Sequence, residues 1–255
     1  MDKQFLRTTF DTVAELYDRA RPAYPDELID DLVVLTGLGP RSRILEIGCG
    51  TGKATLPLAG RGFRITCVEL GASLAAVAQR KLALFPGVHI VNADFETWRP
   101  DRAYDAAIAF TAFHWLPHDV RYVKSADVLR DGGALAVTMI HHVLPEDADP
   151  FFVEVQADYE AVSPGSEPPG RPEAVEGFGA EMEASGLFHH VAERRYLWDV
   201  EYSADEYIDV ISTYSPNIAM DARQRARLFD LIRTRMGDRR ARKTYLATLD
   251  VATRS

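Results

Sequence analysis

A glycine-rich turn directly after an apolar strand constrains the fold of this chain more than any other feature. Residues 44–52 read Ile-Leu-Glu-Ile-Gly-Cys-Gly-Thr-Gly. Glycine lets a backbone turn sharply and approach a ligand closely, and a helix that follows points its first amides at that ligand. The run therefore predicts a strand, a binding loop and a helix. Pro57 lies where the helix should be regular, so we expect it to be kinked or to start late.

Short apolar runs alternate with helix-like segments around this turn, which is typical of parallel strands joined by crossover helices. Strands are predicted near 44–48, 64–69, 88–92, 104–110, 134–140, 189–199 and 244–252, the last antiparallel. Helices are predicted near 26–36, 73–85, 117–129, 150–162, 173–185 and 221–236, with one more opened by Ser203 and Glu206 at capping-box spacing. This pattern indicates a Rossmann-like α/β fold with a seven-stranded, mostly parallel sheet and helices on both faces. We expect a helical lid from the N-terminus and an insertion after the fifth strand.

The 255 residues suit one elaborated α/β domain. We expect a single domain over 1–255 whose parts differ in role. The expected parts are an N-terminal lid and lead-in helix (1–37), a cofactor-binding core (38–142), substrate-side cap elements (143–172 and 200–240) and final strands (188–199 and 244–252).

Net charge and cysteine content limit the partners and the compartment. The formal net charge of −9 would repel nucleic acid phosphates and anionic membranes. Only two cysteines are present, both in predicted core or loop segments, and Met1 to Phe10 lacks the apolar stretch of a signal peptide. We therefore expect a cytoplasmic protein, a monomer or homodimer, with no nucleic acid and no membrane partner.

Glu46 and Lys53 distinguish two ligand classes for the glycine loop. A dinucleotide fingerprint needs Gly or Ala where Lys53 stands. The Glu46 carboxylate would repel a pyrophosphate but favours an ammonium group. A glycine-rich turn with no ligand is the remaining alternative.

The run Glu46-Ile-Gly48-Cys49-Gly50-Thr-Gly52 resembles the first motif of class I S-adenosylmethionine (SAM)-dependent methyltransferases, an acidic residue followed by G-x-G-x-G. The chain is similar to bacterial small-molecule methyltransferases of the trans-aconitate type. The resemblance implies that SAM is bound by Glu46, Gly48, Cys49, Gly50 and Gly52 and that S-adenosylhomocysteine is the product. It also implies methyl transfer to an O, N or C atom of a small-molecule acceptor.

The ends of the second and third strands carry further expected cofactor positions. Glu69 can accept hydrogen bonds from a ribose diol. The resemblance places Leu70 on the adenine, with Asp94 at its exocyclic amine and Phe95 beside the ring. The alternatives are a solvated Glu at a strand end and an Asp that caps the following segment.

Ligand-facing residues are also expected where the fourth strand ends. The resemblance implies that Thr111 meets the methionine amine and that His114 and Trp115 border the reacting methyl. His114 is our candidate catalytic base because histidine titrates near neutral pH. Simple core packing is the alternative for Phe113 and Trp115.

Tyr17 and Arg21 lie four residues apart before the first predicted helix, so a helix places both side chains on one face, with Arg21 able to bind a ligand carboxylate. The segment resembles the N-terminal lid of the family, which assigns Tyr17 and Arg21 to the cofactor and Tyr24 to the substrate. A structural Arg-Pro turn is the alternative.

The remaining polar clusters predict less. The pairs His141-His142 and His189-His190 lack the spacing of a metal site, so we expect no metal. The basic stretch 223–243 is interpreted as a solvated helix face, although one or two arginines reaching an anionic substrate, or an RNA-binding surface, stay open. Two functional alternatives also remain: a SAM-binding enzyme that catalyses a non-methylating reaction, and a non-catalytic SAM-binding protein.

Overall fold

A computed structural model describes residues 8–255 as one seven-stranded sheet with helices. The strands are β1 (Arg43–Ile47), β2 (Arg64–Glu69), β3 (Val88–Asn92), β4 (Tyr104–Phe110), β5 (Leu129–His142), β6 (Phe188–Tyr202) and β7 (Ala241–Arg254). Their order in the sheet is β3-β2-β1-β4-β5-β7-β6. The predicted Rossmann-like fold is confirmed.

Eleven α-helices connect and flank these strands within residues 8–255. They are α1 (Ala14–Ala20), α2 (Asp26–Leu35), α3 (Thr55–Gly60), α4 (Ala72–Lys81), α5 (His118–Val128), α6 (Pro150–Glu154), α7 (Gln156–Val162), α8 (Gly179–Ala184), α9 (Ala204–Ile211), α10 (Ser215–Ala219) and α11 (Ala222–Met236). Short 3-10 helices cover Phe10–Val13, Phe113–Trp115 and Pro172–Ala174. No helix of this described part is both long enough and apolar enough to cross a membrane.

The first five strands pair in parallel: β1 with β2 and β4, β2 with β3, and β4 with β5. Parallel strands place all their carboxyl ends at one edge of the sheet, where such folds bind ligands. The residues that follow Ile47, Glu69, Asn92 and Phe110 are therefore neighbours along that edge. This topology is what turns four separate sequence motifs into one candidate site.

The chain divides into two compact units. The glycine-loop unit comprises Ala23–Met139, Gly177–Tyr196 and Ala247–Ser255. The tyrosine unit comprises residues up to Pro22, Ile140–Glu176 and Leu197–Leu246, of which 8–22 are described at its start. The proposed division of 1–255 into lid, core and cap stays a prediction, and the part of it that concerns residues 1–7, like the signal-peptide argument, lies outside the described residues.

Each unit has its own hydrophobic core. In the glycine-loop unit, Leu45, Ala107 and Leu135 are fully buried, as expected for central strands covered on both faces. In the tyrosine unit, the core is built around Phe151, Tyr207 and other aromatic side chains. The second core is rich in phenol groups, and those groups need polar partners when they are buried.

Several local predictions can now be compared with the structure. Helix α3 begins late, at Thr55, which puts Pro57 in its first turn where a missing amide is tolerated, as expected. Ser203 and Glu206 form the predicted capping box at the start of α9.

Two helix predictions were wrong in extent. The helix expected over 150–162 is two helices that meet at Val155. The helix expected over 173–185 is a 3-10 turn followed by the short α8. Gly177 separates those two pieces, and Asp250, in β7, accepts hydrogen bonds there from the amides of Phe178 (2.9 Å) and Gly179 (3.0 Å), so a tertiary contact sets the helix start.

Candidate functional site

The glycine loop leaves β1 after Ile47 with three positive φ angles: 66° at Gly48, 56° at Gly50 and 77° at Gly52. A Cβ on Gly48 would lie 2.7 Å from the Cβ of Ala112, in the loop after β4, so only glycine allows this approach. Beside Gly50, by contrast, no described atom lies within 4 Å of the added Cβ position. The loop is thus packed against protein at Gly48 and open to a ligand at Gly50.

Glu69, the last residue of β2, holds this loop in place. Its buried carboxylate accepts hydrogen bonds from the Gly50 amide (2.8 Å) and from the Gly71 amide (2.8 Å). One carboxylate therefore organises the loop after β1 and the loop after β2 together. If Glu69 binds a ribose, the ligand lies at the open side of Gly50. The ribose contact of Glu69 stays a prediction.

Glu46 lies under the loop, fully buried in β1. Its carboxyl accepts hydrogen bonds from Thr55 Oγ1 (2.7 Å) and from the Cys67 thiol (3.9 Å). Burial raises its pKa to about 8, with Thr55 lowering it and the charge of Glu69 raising it further. Glu46 is therefore mostly protonated near neutral pH. It would have to lose this proton before it could form the ion pair with a ligand ammonium that the sequence predicts.

The two cysteines are free and buried beside Glu46. The Cys67 thiol and burial together hold the pKa of Cys49 well above its ordinary value, so Cys49 carries no charge near neutral pH. Its expected contact with the cofactor stays a prediction.

Asn92, at the end of β3, is a structural contributor to which sequence reasoning gave no role. Its side-chain amide donates to the carbonyl oxygens of Glu69 and Leu70, each at 2.9 Å. These bonds fix the half-buried Leu70 at the end of β2. A polar residue at the end of a strand was the one available signal, and it is weak.

Asp94 and Phe95 have local contacts that match the simpler alternatives. The Asp94 carboxylate accepts from the Glu96 amide at 3.0 Å, as a capping residue does. Phe95 is 3% exposed and belongs to the hydrophobic core of its unit. The adenine contacts assigned to both residues stay predictions.

Thr111 stands out by its backbone. Its φ of 53° is the only positive value of a non-glycine residue in the described chain. Its amide donates to Thr138 O (2.7 Å), and its buried hydroxyl has no hydrogen-bond partner among residues 8–255. Such strain costs on the order of 1–3 kcal/mol and is concentrated at functional sites. The residue next to it, Ala112, is the one that contacts Gly48.

The aromatic residues around the end of β4 divide into core and surface. Phe113 is fully buried, so the core-packing alternative is correct for it. His114 and Trp115 are half-buried, with ring centres 4.6 Å apart. Tyr24 packs edge-on against Phe110 at 4.7 Å, which brings this predicted substrate residue to the end of β4. The catalytic role of His114 and the substrate roles of Tyr24 and Trp115 stay predictions.

Tyr17 and Arg21 belong to the tyrosine unit. Tyr17 lies in α1 and Arg21 is the extended residue directly after it, so the two do not share a helix face, but the Arg21 guanidinium lies 5.1 Å from the centre of the Tyr17 ring. Arg21 donates to Thr213 Oγ1 (2.7 Å) and Thr213 O (3.0 Å). Their assignment to the cofactor stays a prediction.

Five of the nine basic residues in the stretch 223–243 form ion pairs with acidic residues. Ion pairs join Arg233 to Asp205 and Asp230, Arg235 to Glu154 and Asp158, Arg239 to Asp149, Arg240 to Glu206, and Arg242 to Asp147 and Asp199. These pairs favour the interpretation as a solvated helix face over an anion-binding or RNA-binding surface. Among residues 8–255, no group of three or more His, Cys, Asp or Glu side chains is placed to hold a metal ion.

Residues 44–133 match the sequence model of a family described as "Methyltransferase domain". A trans-aconitate 2-methyltransferase of Rhizobium rhizogenes is 32% identical over 123 residues, 48% of this chain and 45% of that protein. The chain spans about half the length of the curated relatives it matches. Residues 44–133 are therefore similar to methyltransferase domains, and the predicted resemblance to SAM-dependent methyltransferases is confirmed for this segment.

Solved structures extend the similarity of fold to nearly the whole chain. The putative type II methyltransferase from Anaeromyxobacter dehalogenans superposes with a TM-score of 0.63 at 24% identity, covering 91% of this chain and 97% of that one. The [4+2]-cyclase SpnF superposes with a TM-score of 0.58 at 20% identity, covering 98% and 96%. One fold thus serves chains with different stated activities.

Proposed function

We propose that the glycine-loop unit binds SAM and that the protein transfers its methyl group to a small-molecule acceptor. The observation that carries the proposal is the shared edge of β1, β2 and β4. At this edge the glycine loop has open space beside Gly50, and the Gly50 amide donates to Glu69. The residue after β4, Thr111, has a positive φ, and its buried hydroxyl has no hydrogen-bond partner among residues 8–255. A cradle of this kind suits a ligand with a ribose and an amino acid end.

When bound, SAM supplies an electrophilic methyl group on a sulfonium. The protein's residues then have to position the two reactants and shield them from water. The amide of Gly50 and the carboxylate of Glu69 hold the loop, and Thr111 offers a hydroxyl to the polar end of the ligand. Holding two reactants in line supplies much of the rate enhancement of a displacement reaction. His114 is the candidate for any proton transfer, with Trp115 and Tyr24 lining the acceptor.

The acceptor class rests on fewer observations. The net charge of −9 and the ion-paired arginines of 223–243 disfavour a nucleic acid. The trans-aconitate relative methylates a small molecule by its name. We therefore propose a small-molecule acceptor methylated on O, N or C.

The first test looks for the cofactor. Protein purified from cells and then denatured is expected to release SAM or S-adenosylhomocysteine detectable by mass spectrometry. Adding either compound to the stripped protein should raise its melting temperature, because a ligand that binds only the folded state stabilises it. Absence of both effects would remove the proposal. Methyl transfer is then measured with isotopically labelled SAM and a panel of metabolites.

A non-methylating reaction is the second candidate, supported by the fold shared with a chain described as a cyclase. The same labelled SAM separates the two. A methyltransferase converts SAM to S-adenosylhomocysteine in proportion to product, whereas an enzyme of the second kind, or a non-catalytic SAM-binding protein, leaves SAM intact.

A further inference from the structure

Arg121, in α5, is a buried arginine that the proposed function does not use. It is 6% exposed, and its guanidinium forms an ion pair with Glu181 of α8, whose side chain is 44% exposed. The Arg121 Nε has no hydrogen-bond acceptor among residues 8–255. Arginine is almost never fully buried unless it is paired, and here the pairing is incomplete. Such a residue needs an explanation besides core packing.

Three aromatic rings surround the Arg121 guanidinium. Its central carbon lies 5.7 Å from the ring centre of Phe113, 5.2 Å from that of Tyr122 and 5.3 Å from that of Phe178. Phe113 in turn packs edge-on against Tyr122 at 5.4 Å and against Phe178 at 5.6 Å. Ring faces attract a guanidinium, and its rigid planar shape sets how the rings are arranged around it.

Glu181 joins the same group of side chains a second time. Its carboxylate accepts a hydrogen bond from the Tyr122 hydroxyl at 3.0 Å, besides the ion pair with Arg121. Asp250 accepts from the Phe178 amide at 2.9 Å, just before α8, and so fixes the start of the helix that carries Glu181. Arg121, Tyr122, Phe178 and Glu181 are called the arginine cluster below.

The arginine cluster packs on the segment that carries the predicted acceptor residues. Phe113, whose side chain is fully buried, opens the 3-10 helix Phe113–Trp115, called the aromatic turn below. The Trp115 amide donates to Ala112 O at 3.0 Å, which closes this turn. His114 and Trp115 are half-buried, and they follow Phe113 directly in the same short turn. A shift of the Phe113 ring therefore moves both of them.

Stability alone does not account for the buried charge of Arg121. Desolvating an arginine costs free energy, and apolar residues of similar size are often as stable at such positions. Replacing Arg121 by methionine would leave the Glu181 carboxylate in contact with solvent and with Tyr122, so no charge would be buried without a partner. What methionine lacks is the rigid planar group that sets the arrangement of the three rings.

We propose that Arg121 is a positioning residue, which holds the aromatic turn in one orientation through its pair with Glu181 and its contact with the Phe113 ring. All of these residues lie within the glycine-loop unit. The consequence for methyl transfer rests on the proposed function, in which His114 and Trp115 border the acceptor. Arg121 acts through Phe113 and not by contact with a reactant. A misplacement of about 1 Å can cost on the order of 10²-fold in rate.

The positioning is tested without any ligand, by fluorine NMR of the full-length protein labelled with 5-fluorotryptophan. The chain has three tryptophans, Trp98, Trp115 and Trp198, and each resonance is assigned by replacing that tryptophan with phenylalanine. Arg121→Met should shift or broaden the Trp115 resonance alone, with a melting temperature within about 3 °C of wild type. An unchanged Trp115 resonance, or changes in all three resonances, overturns the proposal.

Two further variants keep this test decisive. Tyr122→Phe preserves the core volume and removes only one hydroxyl of the arginine cluster, so it should shift the Trp115 resonance less, in the same direction. Arg130→Met is the matched control, because it breaks an arginine–carboxylate pair in the same unit, with Asp105 at 2.8 Å. A Trp115 resonance that moves as far in Arg130→Met as in Arg121→Met overturns the proposal. If Arg121→Met does not fold, an unchanged resonance in Tyr122→Phe does the same.

The consequence for catalysis is measured with labelled SAM and the acceptor that the metabolite panel identifies. Arg121→Met should bind SAM with a Kd within about twofold of wild type, yet its kcat should fall about 10- to 100-fold. Arg130→Met should keep both constants. An unchanged kcat in Arg121→Met, or a loss of SAM affinity as large as the loss of kcat, overturns the catalytic consequence. If wild type binds no SAM or transfers no methyl group, the proposed function fails, whereas the fluorine spectra still decide the positioning.

Discussion

Each of the two units buries ionisable side chains, and the two units supply the polar partners of those side chains differently. The glycine-loop unit buries the carboxyl groups of Glu46 and Glu69, which are served by backbone amides and a threonine hydroxyl. The tyrosine unit buries the side chain of Lys243, which donates a hydrogen bond to the Tyr214 hydroxyl and lies near the Tyr207 ring. Backbone amides can be supplied by a local loop, whereas a phenol cluster must be gathered from many elements. A site built on loop geometry can therefore be predicted from the sequence, whereas a site built from the side chains of many distant elements cannot.

The largest expected effect breaks the loop of the first unit. Gly48→Ala combines a φ of 66° with a Cβ 2.7 Å from Ala112, so it should cost about 4 kcal/mol of unfolding free energy and abolish measurable SAM binding. Gly37→Ala is the matched control, with a φ of 65° and no atom within 4 Å. Denaturant unfolding and calorimetry check both variants. Equal losses in the two would mean that strain alone, and not the approach to Ala112, matters at Gly48.

Next comes the carboxylate that organises the loop. Glu69→Ala removes the acceptor of two backbone amides, and we expect a loss of about 3 kcal/mol in stability together with at least about tenfold weaker SAM binding. Glu69→Gln should lose less, because one side-chain oxygen still accepts. Thermal unfolding with and without SAM measures both. An alanine variant as stable as wild type contradicts the role of Glu69 in holding the loop.

Glu46 gives a pH-dependent prediction for the same unit. Its folded-state pKa of about 8 exceeds the ordinary 4.5, so the folded protein binds this proton more tightly and its stabilising effect is lost as pH rises from about 4.5 through about 8. Wild type should therefore lose about 2 kcal/mol relative to Glu46→Gln between pH 6 and pH 9. Chemical denaturation at both pH values tests this. Parallel pH profiles of the two proteins would place the pKa of Glu46 in its usual range.

A smaller effect sharpens the comparison in the tyrosine unit, where several arginines have carboxylate partners. Asp158 is buried and accepts from Arg235 through two bonds of 2.5 Å and 2.8 Å. Asp158→Asn should cost about 1.5 kcal/mol, while Asp205→Asn, at an exposed pair with Arg233, should cost less than about 0.5 kcal/mol. Urea midpoints measure the difference. Similar midpoints would show that burial does not strengthen the pair.

The smallest expected effect concerns Thr111. Thr111→Gly relieves a φ of 53° and should stabilise the protein by about 0.5–1 kcal/mol, whereas Thr111→Val keeps the strain. Both remove the unpartnered hydroxyl, so both should weaken SAM binding. Calorimetry measures SAM affinity and unfolding curves measure stability, so together they separate the effect of backbone strain from the effect of the hydroxyl. Unchanged SAM affinity in both variants would exclude a ligand contact by this hydroxyl.

Much of the fold follows from local patterns. The positions of β1, β2, β3 and β4 agree with the sequence prediction to within a residue or two, since each is a short apolar run bounded by turn residues. The shortened α8 does not follow, because its start depends on Asp250, which is distant in sequence and accepts from the amides of Phe178 and Gly179. Likewise, Phe113 is a core residue by its packing, although its position beside His114 is equally compatible with a site.

The sequence by itself determined the glycine loop, the acidic residues at the ends of β1 and β2, and the Tyr17–Arg21 spacing, because these depend on residues a few positions apart or on the strand period. Tertiary structure alone decided that Glu69 holds Gly50, that the Thr111 amide donates to Thr138, and that Lys243 contacts Tyr214 across 29 residues of sequence. The physical reason is that burial and hydrogen-bond partners are set by which distant segments pack together. Those contacts shift the pKa of a side chain away from the value that its residue type sets.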